Sequence, residues 1–209
     1  MRHRRRGRIL GRNPSHRRAM LRNLASSLFL TEDDTDDDNQ PKVKGRVTTT
    51  LQKAKEVRPL VERCITIARR GLTAMDEARQ YTVDAERHSE SWRAWRQSDQ
   101  WNQWAQAMAP AVAARRRTLR LLGNKNAVRV LFDEVAPRFV DRPGGYTRIV
   151  QLAKPRLGDA GTRAIIEFVG VRDRVRQRSV APAFDDDAPS RQSSEPESVA
   201  GDAESTTEE

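Results

Sequence analysis

The fold class follows from residues 127–153, AVRVLFDEVAPRFVDRPGGYTRIVQLA. Within this stretch the spacing of the apolar residues changes from that of a helix to that of an extended strand. Apolar side chains recur with helical spacing at Val128, Leu131, Phe132 and Val135. This spacing predicts a helix that Asn126 caps and Pro137 ends. The glycine pair at 144–145 favours a turn into a strand over 146–153.

A second helix is predicted near the N-terminus, over 14–30. Asn13 is suited to cap it, and Pro14 suits its first position, where a missing N–H is no loss. Its apolar stripe consists of Leu21, Leu24, Ala25 and Leu28. Arg18 and Arg22 lie one turn apart on another face, so one side of this helix packs while the other remains free for anions.

A third helix is predicted after the short β-branched strand 46–50, RVTTT. Thr49 and Gln52 have the spacing of a capping box at its start. Pro59 is expected to kink or split it, and Gly71 to end it.

The last strand is predicted over 163–171, RAIIEFVGV. Helices followed by a small antiparallel sheet indicate an α+β fold with helices packed on the sheet. The pattern leaves the strand order open.

The composition favours an acidic partner. The 209 residues include 39 Lys and Arg against 29 Asp and Glu, for a net charge of +10. No apolar run approaches the length of a membrane span, and the N-terminus lacks the apolar region of a secretory signal, so we expect no membrane partner. One cysteine, Cys64, allows no internal disulfide or thiolate metal cage.

The charge is distributed unevenly along the chain. Residues 1–30 hold nine Arg and no acid, residues 31–40 hold six acids and no base, and residues 173–209 hold ten acids and four bases. We therefore predict a basic arm over 1–13, a core over 14–172 and a disordered acidic tail over 173–209. The core includes an acidic, solvated loop at 31–42 and a helical insertion at 73–113.

The predicted insertion contains all four tryptophans. Plotted on a single continuous helix, the four tryptophans do not lie on one stripe. Two separate helices with a break near Ser98 and Asp99 would account for their positions. The first helix would carry a heptad-like face of Met75, Ala78, Thr82, Ala85, Ser89 and Trp92. The tryptophans either pack together or against a neighbouring protein, which we favour, or stack on RNA bases.

Basic side chains are the candidate binding residues, because guanidinium groups bind phosphate in bidentate fashion and release condensed counterions. The arm candidates are Arg2, His3, Arg4, Arg5, Arg6, Arg8 and Arg12. The first predicted helix adds His16, Arg17, Arg18 and Arg22. Secondary phosphate contacts are Lys53, Lys55, Arg138 and Arg142, although any one alone is more often a solvated charge. Each histidine is about as readily explained as a solvated side chain.

Three blocks of the sequence resemble the bacterial large-ribosomal-subunit protein of the L-seventeen family. They are MRHRRRGRILGRNPSHRRAMLRNLASSL, LQKAKEVRPLVERCITIAR and LFDEVAPRFVDRPGGYTRIVQL. Tyr146 and Arg148 resemble the family's sheet-edge motif, although Tyr146 is equally well explained as a core residue. The acidic loop, the insertion and the tail depart from the family pattern.

The resemblance implies a structural, non-enzymatic ribosomal protein in the cytoplasm. It would bind large-subunit (23S) ribosomal RNA near the outer end of the peptide exit tunnel, beside proteins such as a member of the thirty-second family. It implies no cofactor, metal or small-molecule substrate.

Other function classes are less well supported. The three histidines and Cys64 lie in separate segments without the order of a catalytic triad or the spacing of a zinc site. A general nucleic-acid-binding or RNA-chaperone protein fits the composition equally well. A cleaved transit peptide over 1–30 would destroy the family motif that starts at Met1.

Overall fold

A computed structural model describes residues 7–33 and 41–170 of the chain. Five helices are α1 (Pro14–Leu30), α2 (Leu51–Arg79), α3 (Glu90–Gln97), α4 (Asp99–Leu122) and α5 (Lys125–Val130). Three strands are β1 (Arg46–Thr50), β2 (Thr147–Gln151) and β3 (Arg163–Phe168). The first six residues of the predicted arm, most of the predicted acidic loop and the predicted tail lie outside the described residues.

The strands form one antiparallel sheet in the order β1-β3-β2, with β3 in the centre. Ala164 and Ile166 of β3 are buried on the face that α2 covers. Alternation turns Arg163, Ile165 and Glu167 to the opposite face. The predicted α+β class, with helices packed on a small antiparallel sheet, is confirmed.

Helix α1 begins as the sequence predicts. The Asn13 side chain accepts a hydrogen bond from the His16 backbone N–H at 2.8 Å, and Pro14 occupies the first turn. Ala25, Leu28 and Phe29 are fully buried in the core, so the predicted apolar stripe packs inward.

Helix α2 differs from its prediction at its start and at Gly71. It is capped at Thr50 rather than Thr49, which lies in β1, and no side chain makes the capping bond. Pro59 lies inside the helix without splitting it. Gly71 is internal and buried, because α4 crosses closely there: a Cβ at Gly71 would lie 3.0 Å from the Ala114 Cβ. This glycine permits close helix packing and does not end the helix.

The helical part of the stretch 127–153 starts earlier and ends later than predicted. The Asn124 side chain, not that of Asn126, caps α5 by accepting from the Ala127 N–H at 3.1 Å. The helix then continues as a π-helical turn (Leu131–Val135) and a 3-10 turn (Ala136–Phe139). Pro137 is tolerated because it lies in the first turn of the 3-10 segment, where its N–H is not needed.

The segment 73–113 is largely helical and breaks at the predicted place. Ser98 separates α3 from α4, and the amino-terminal part of the segment extends α2 to Arg79. The heptad-like face predicted for one continuous first helix is wrong, since residues 80–89 are not helical. None of the described helices has the length and apolar content needed to cross a membrane.

The described start of the predicted acidic loop is not solvated. Glu32 is 5% exposed and accepts from Arg138 Nη2 at 2.8 Å. Asp33 is bound by Arg129 Nη2 at 3.0 Å. These two acids tie the end of α1 to the α5 region, so they serve packing and not solubility.

Candidate nucleic-acid interface

The root of the predicted arm is fixed on α2. The Arg8 Nη1 lies 2.6 Å from Glu56 Oε1, and the Gly7 N–H donates to Glu56 Oε2 at 3.2 Å. Arg8 therefore anchors the arm through a carboxylate of its own chain. Arg12 lies beyond this anchor and is exposed. Arg2, His3, Arg4, Arg5 and Arg6 lie outside the described residues.

Helix α1 presents three of its four candidate side chains to solvent. His16, Arg18 and Arg22 are exposed, whereas Arg17 is half-buried. Arg22 Nη2 donates to the Arg120 carbonyl oxygen of α4 at 3.2 Å, which brings the two helices together at this surface.

Sequence reasoning missed the arginines at the end of α4. Arg116 and Arg120 are exposed and lie one helical turn apart. The run RRR at 115–117 was the available signal. We call Arg18, Arg22, Arg116 and Arg120 the α1–α4 basic face. The sequence contains no Asp or Glu over 1–31 or 100–132, so the segments carrying this face supply no competing carboxylate.

A second basic surface lies where α2 meets the edge strand β2. A shallow cavity of about 550 Å³ is lined by Leu51, Lys55, Arg58, Arg148, Ile149 and Gln151. The structure thus brings together the predicted residues Lys55 and Arg148 and adds Arg58. Arg148 Nε also donates to Glu167 on β3 at 2.5 Å, so its guanidinium is held at the sheet edge.

Lys53 lies apart from Lys55, beside the other edge of the sheet. It lines a cavity of about 400 Å³ with Thr48, Thr49, Thr50, Arg156 and Arg163. Arg156 is paired with Asp159, and this hydrogen bond holds the pKa of the Asp159 carboxyl well below its usual range. Lys53 and Arg163 therefore remain the cations of this cavity without a described carboxylate partner.

Three predicted residues contact other parts of the same chain, and the Arg138 side chain is still 42% exposed. Arg138 is engaged by buried Glu32, as described above, and Arg142 Nε donates to the Gly144 carbonyl oxygen at 3.3 Å. Tyr146 is fully buried, with its ring 5.1 Å from that of Phe139. The expectation that Tyr146 contacts RNA is therefore corrected: it is a core residue, because the turn after the glycine pair directs its ring inward.

Glu62 of α2 fixes the start of β2. Its Oε2 accepts from the Tyr146 N–H at 3.1 Å, and its Oε1 accepts from the Thr147 N–H at 2.9 Å and the Thr147 hydroxyl at 2.7 Å. Thr147 is 1% exposed, so these donors have no access to bulk water. This carboxylate holds the edge strand, and hence Arg148, against α2.

The described residues show no catalytic arrangement. Cys64 is buried in α2, and burial raises the pKa of its thiol to about 12, which keeps it protonated and unreactive. No group of three or more His, Cys, Asp or Glu residues in the described ranges has metal-binding geometry.

Fold and surface together define a small, basic α+β protein whose exposed guanidinium groups suit a polyanionic partner. Residues 20–169 match the family model described as Ribosomal protein L17. The chain belongs to this family.

Similar proteins support the same assignment. The chain is 60% identical over 210 residues to the large ribosomal subunit protein bL17 of Rhodopirellula baltica, covering 100% of this chain and 97% of that protein. It is 37% identical to the protein of that name from Nitratidesulfovibrio vulgaris, over 80% of this chain and 87% of the relative. For Thermus thermophilus the identity is 37%, over 81% and 99%.

Family membership confirms the resemblance of the three sequence blocks. The protein is a structural, non-enzymatic component of the bacterial ribosome, in the cytoplasm.

Proposed function

We propose that this chain is a constituent of the large ribosomal subunit that supports translation by binding 23S ribosomal RNA. The arm 1–13 and the α1–α4 basic face supply the main contacts. The cavities around Lys55 and Lys53 supply secondary ones. The observation that carries the proposal is the α1–α4 basic face, where exposed arginines from two helices meet on segments free of acids.

The chemistry of this face suits an RNA backbone. A guanidinium group donates paired hydrogen bonds to phosphate oxygens, and 33 of the 39 basic residues are Arg. The arm has too few apolar residues to fold alone, so we propose that Arg2, Arg4, Arg5, Arg6 and Arg12 bind phosphate in a groove of folded RNA. His3 and His16 are proposed to hydrogen-bond or stack on bases there. The Arg8–Glu56 pair holds the arm's root at α2.

The test compares two variants with equal loss of charge. Arg18→Ala/Arg22→Ala removes half of the α1–α4 basic face, and Arg87→Ala/Arg93→Ala removes two exposed arginines near α3. Binding to 23S RNA is measured against salt concentration. Each lost phosphate contact lowers the salt slope by roughly 0.7–0.9, so we expect the first variant to lose about 1.4–1.8. We expect the second to match the wild type.

Sedimentation separates this proposal from the alternative of a general nucleic-acid binder. Tagged protein in lysate is run through sucrose gradients at moderate and high salt. Retention on the large subunit at high salt supports a built-in constituent. Release by salt, or equal binding to DNA and unrelated RNA, would contradict it. Contact with a thirty-second-family protein remains a prediction, to be checked by chemical cross-linking of isolated subunits.

A further inference from the structure

Residues 7–12 form a short hook at the root of the arm, and we call them the arm hook. The Arg12 N–H donates to the Ile9 carbonyl oxygen at 3.2 Å, which closes a turn. Its central residues, Leu10 and Gly11, have φ values of 56° and 63°. Positive φ at both central positions is characteristic of a type I′ turn. A left-handed conformation costs free energy for leucine, so it persists only where surrounding contacts hold it.

One carboxylate of α2 supplies such contacts. Glu56 Oε1 lies 2.6 Å from Arg8 Nη1, and Glu56 Oε2 accepts from the Gly7 N–H at 3.2 Å. The side chains of Arg8 and Glu56 are 24% and 12% exposed, so solvent screens this pair less than a fully exposed pair. A single acid therefore holds both a side chain and the backbone at the start of the arm hook.

Two long side chains of the arm hook are open to a partner. Ile9 is 69% exposed, and Arg12 is also exposed. Arg8 is the exception, because its guanidinium is held at the helix. Four arginines lie within residues 2–6, so the place where Gly7 is fixed sets the point from which this basic run starts.

We propose that Glu56 is a positioning residue for RNA binding: it preorganises the arm hook, so that an acidic side chain raises the affinity of a basic protein for RNA. A free arm loses backbone freedom when it binds, and the anchor removes part of that cost before RNA arrives. Charge alone would have the opposite effect, because a carboxylate repels phosphate. The inference rests on the proposed function, since it takes the arm to be an RNA-binding element.

Two alanine variants with the same change of charge separate order from charge. Glu56→Ala removes the anchor, and Glu77→Ala removes an exposed acid elsewhere on α2. Binding of the full chain to 23S RNA is measured over a range of salt concentrations. We expect Glu56→Ala to bind about tenfold more weakly at every salt concentration, with an unchanged salt slope because the same phosphates are contacted. Glu77→Ala should bind like the wild type or slightly more tightly.

A charge swap tests for rescue. Glu56→Arg raises the net charge by two and sets two arginines against each other. Adding Arg8→Glu restores an ion pair and returns the net charge to that of the wild type. We expect the double variant to bind RNA more tightly than Glu56→Arg, although its net charge is two lower. A purely electrostatic role predicts the reverse order.

Trypsin digestion measures the anchor without RNA. The bonds after Arg8 and Arg12 should be cut about tenfold faster in Glu56→Ala than in the wild type or Glu77→Ala, because a released segment is more accessible to protease. Circular dichroism checks that each variant is folded. Should Glu56→Ala fail to fold, Arg8→Gln releases the arm hook without altering a helix, and cleavage after Arg12 is then the readout.

Equal or tighter RNA binding by Glu56→Ala overturns the proposal. A loss of affinity that disappears at high salt, a charge swap without rescue, or an unchanged rate of cleavage also overturns it. If deletion of residues 2–6 and the Arg18→Ala/Arg22→Ala change both leave RNA affinity unchanged, the proposed function fails instead. The rate of trypsin cleavage then still decides whether Glu56 holds the arm hook.

Discussion

Replacing Glu62 by alanine is expected to lower the free energy of unfolding by about 3 kcal/mol. Three donors lose their acceptor at once: the Tyr146 N–H and both donors of Thr147. Hydrogen bonds to a charged acceptor contribute roughly 1.5–3 kcal/mol each. The Glu62 side chain is 21% exposed, so solvent weakens each bond to a net contribution of about 1 kcal/mol, and the three bonds together contribute about 3 kcal/mol.

The assay is urea unfolding of the purified chain followed by circular dichroism, with thermal melting as a second readout. For a chain of this size we expect a fall in Tm of about 6–12 °C. Glu62→Gln keeps one carbonyl oxygen and should lose about half as much. Glu77→Ala, an exposed change on the same helix, is the matched control. Surface substitutions usually change the free energy of unfolding by no more than about 0.5 kcal/mol. If the free energies of unfolding of Glu62→Ala and the control differed by no more than this, the Glu62 carboxylate would not be holding β2.

Three further changes test the core. Tyr146→Phe removes a buried hydroxyl that has no hydrogen-bond partner in the described structure, so the Tm should stay unchanged or rise slightly. Gly71→Val forces its new carbons against Ala114 and Phe132 and should cost about 1–3 kcal/mol or more in urea unfolding. Cys64 should resist thiol reagents at pH 8 until the chain unfolds. Burial raises the pKa of the Cys64 thiol from 9.0 to about 12, so the native state keeps this proton at pH values where the unfolded chain loses it. The contribution of Cys64 to the free energy of unfolding should therefore fall as the pH rises from 9.0 to about 12. Cys64→Ala should lack this component, and an equal pH dependence would count against it.

Local signals in the sequence predicted the elements whose cause is local. Asn13 and Pro14 start α1 with their own side chain and ring, the β-branched run forms β1, and the break at Ser98 follows from the conflicting angular positions of the tryptophans. The strand order could not be predicted from the sequence because it depends on which strands pair with each other, and no single segment specifies that pairing.

Predictions failed where a distant contact decided the outcome. Gly71 reads as a helix stop, but the approach of α4 makes it an internal packing position. The sequence predicts that Glu32 is a solvated acid, but it is buried and paired with Arg138, which lies more than a hundred residues away in the chain. The same contact explains why Arg138 looked like a phosphate ligand: its charge is visible in the sequence, whereas its partner is not.

The proposed binding surface was predicted in part for the same reason. Arg18 and Arg22 were found because helical spacing places them on one face. Arg116 and Arg120 were missed because they join this surface only where α4 crosses beside α1. The hydrogen bond from Arg22 to the Arg120 carbonyl oxygen shows this crossing.

The four tryptophans give the molecule an intrinsic optical label. All four indoles of the chain lie within 73–113, and α3 and α4 carry every one of them. Fluorescence excited in the indole band therefore reports this segment alone, while the arm and the α1–α4 basic face stay dark. The RNA binding proposed for the arm and for the α1–α4 basic face can thus be timed separately from events at α3 in the unlabelled protein.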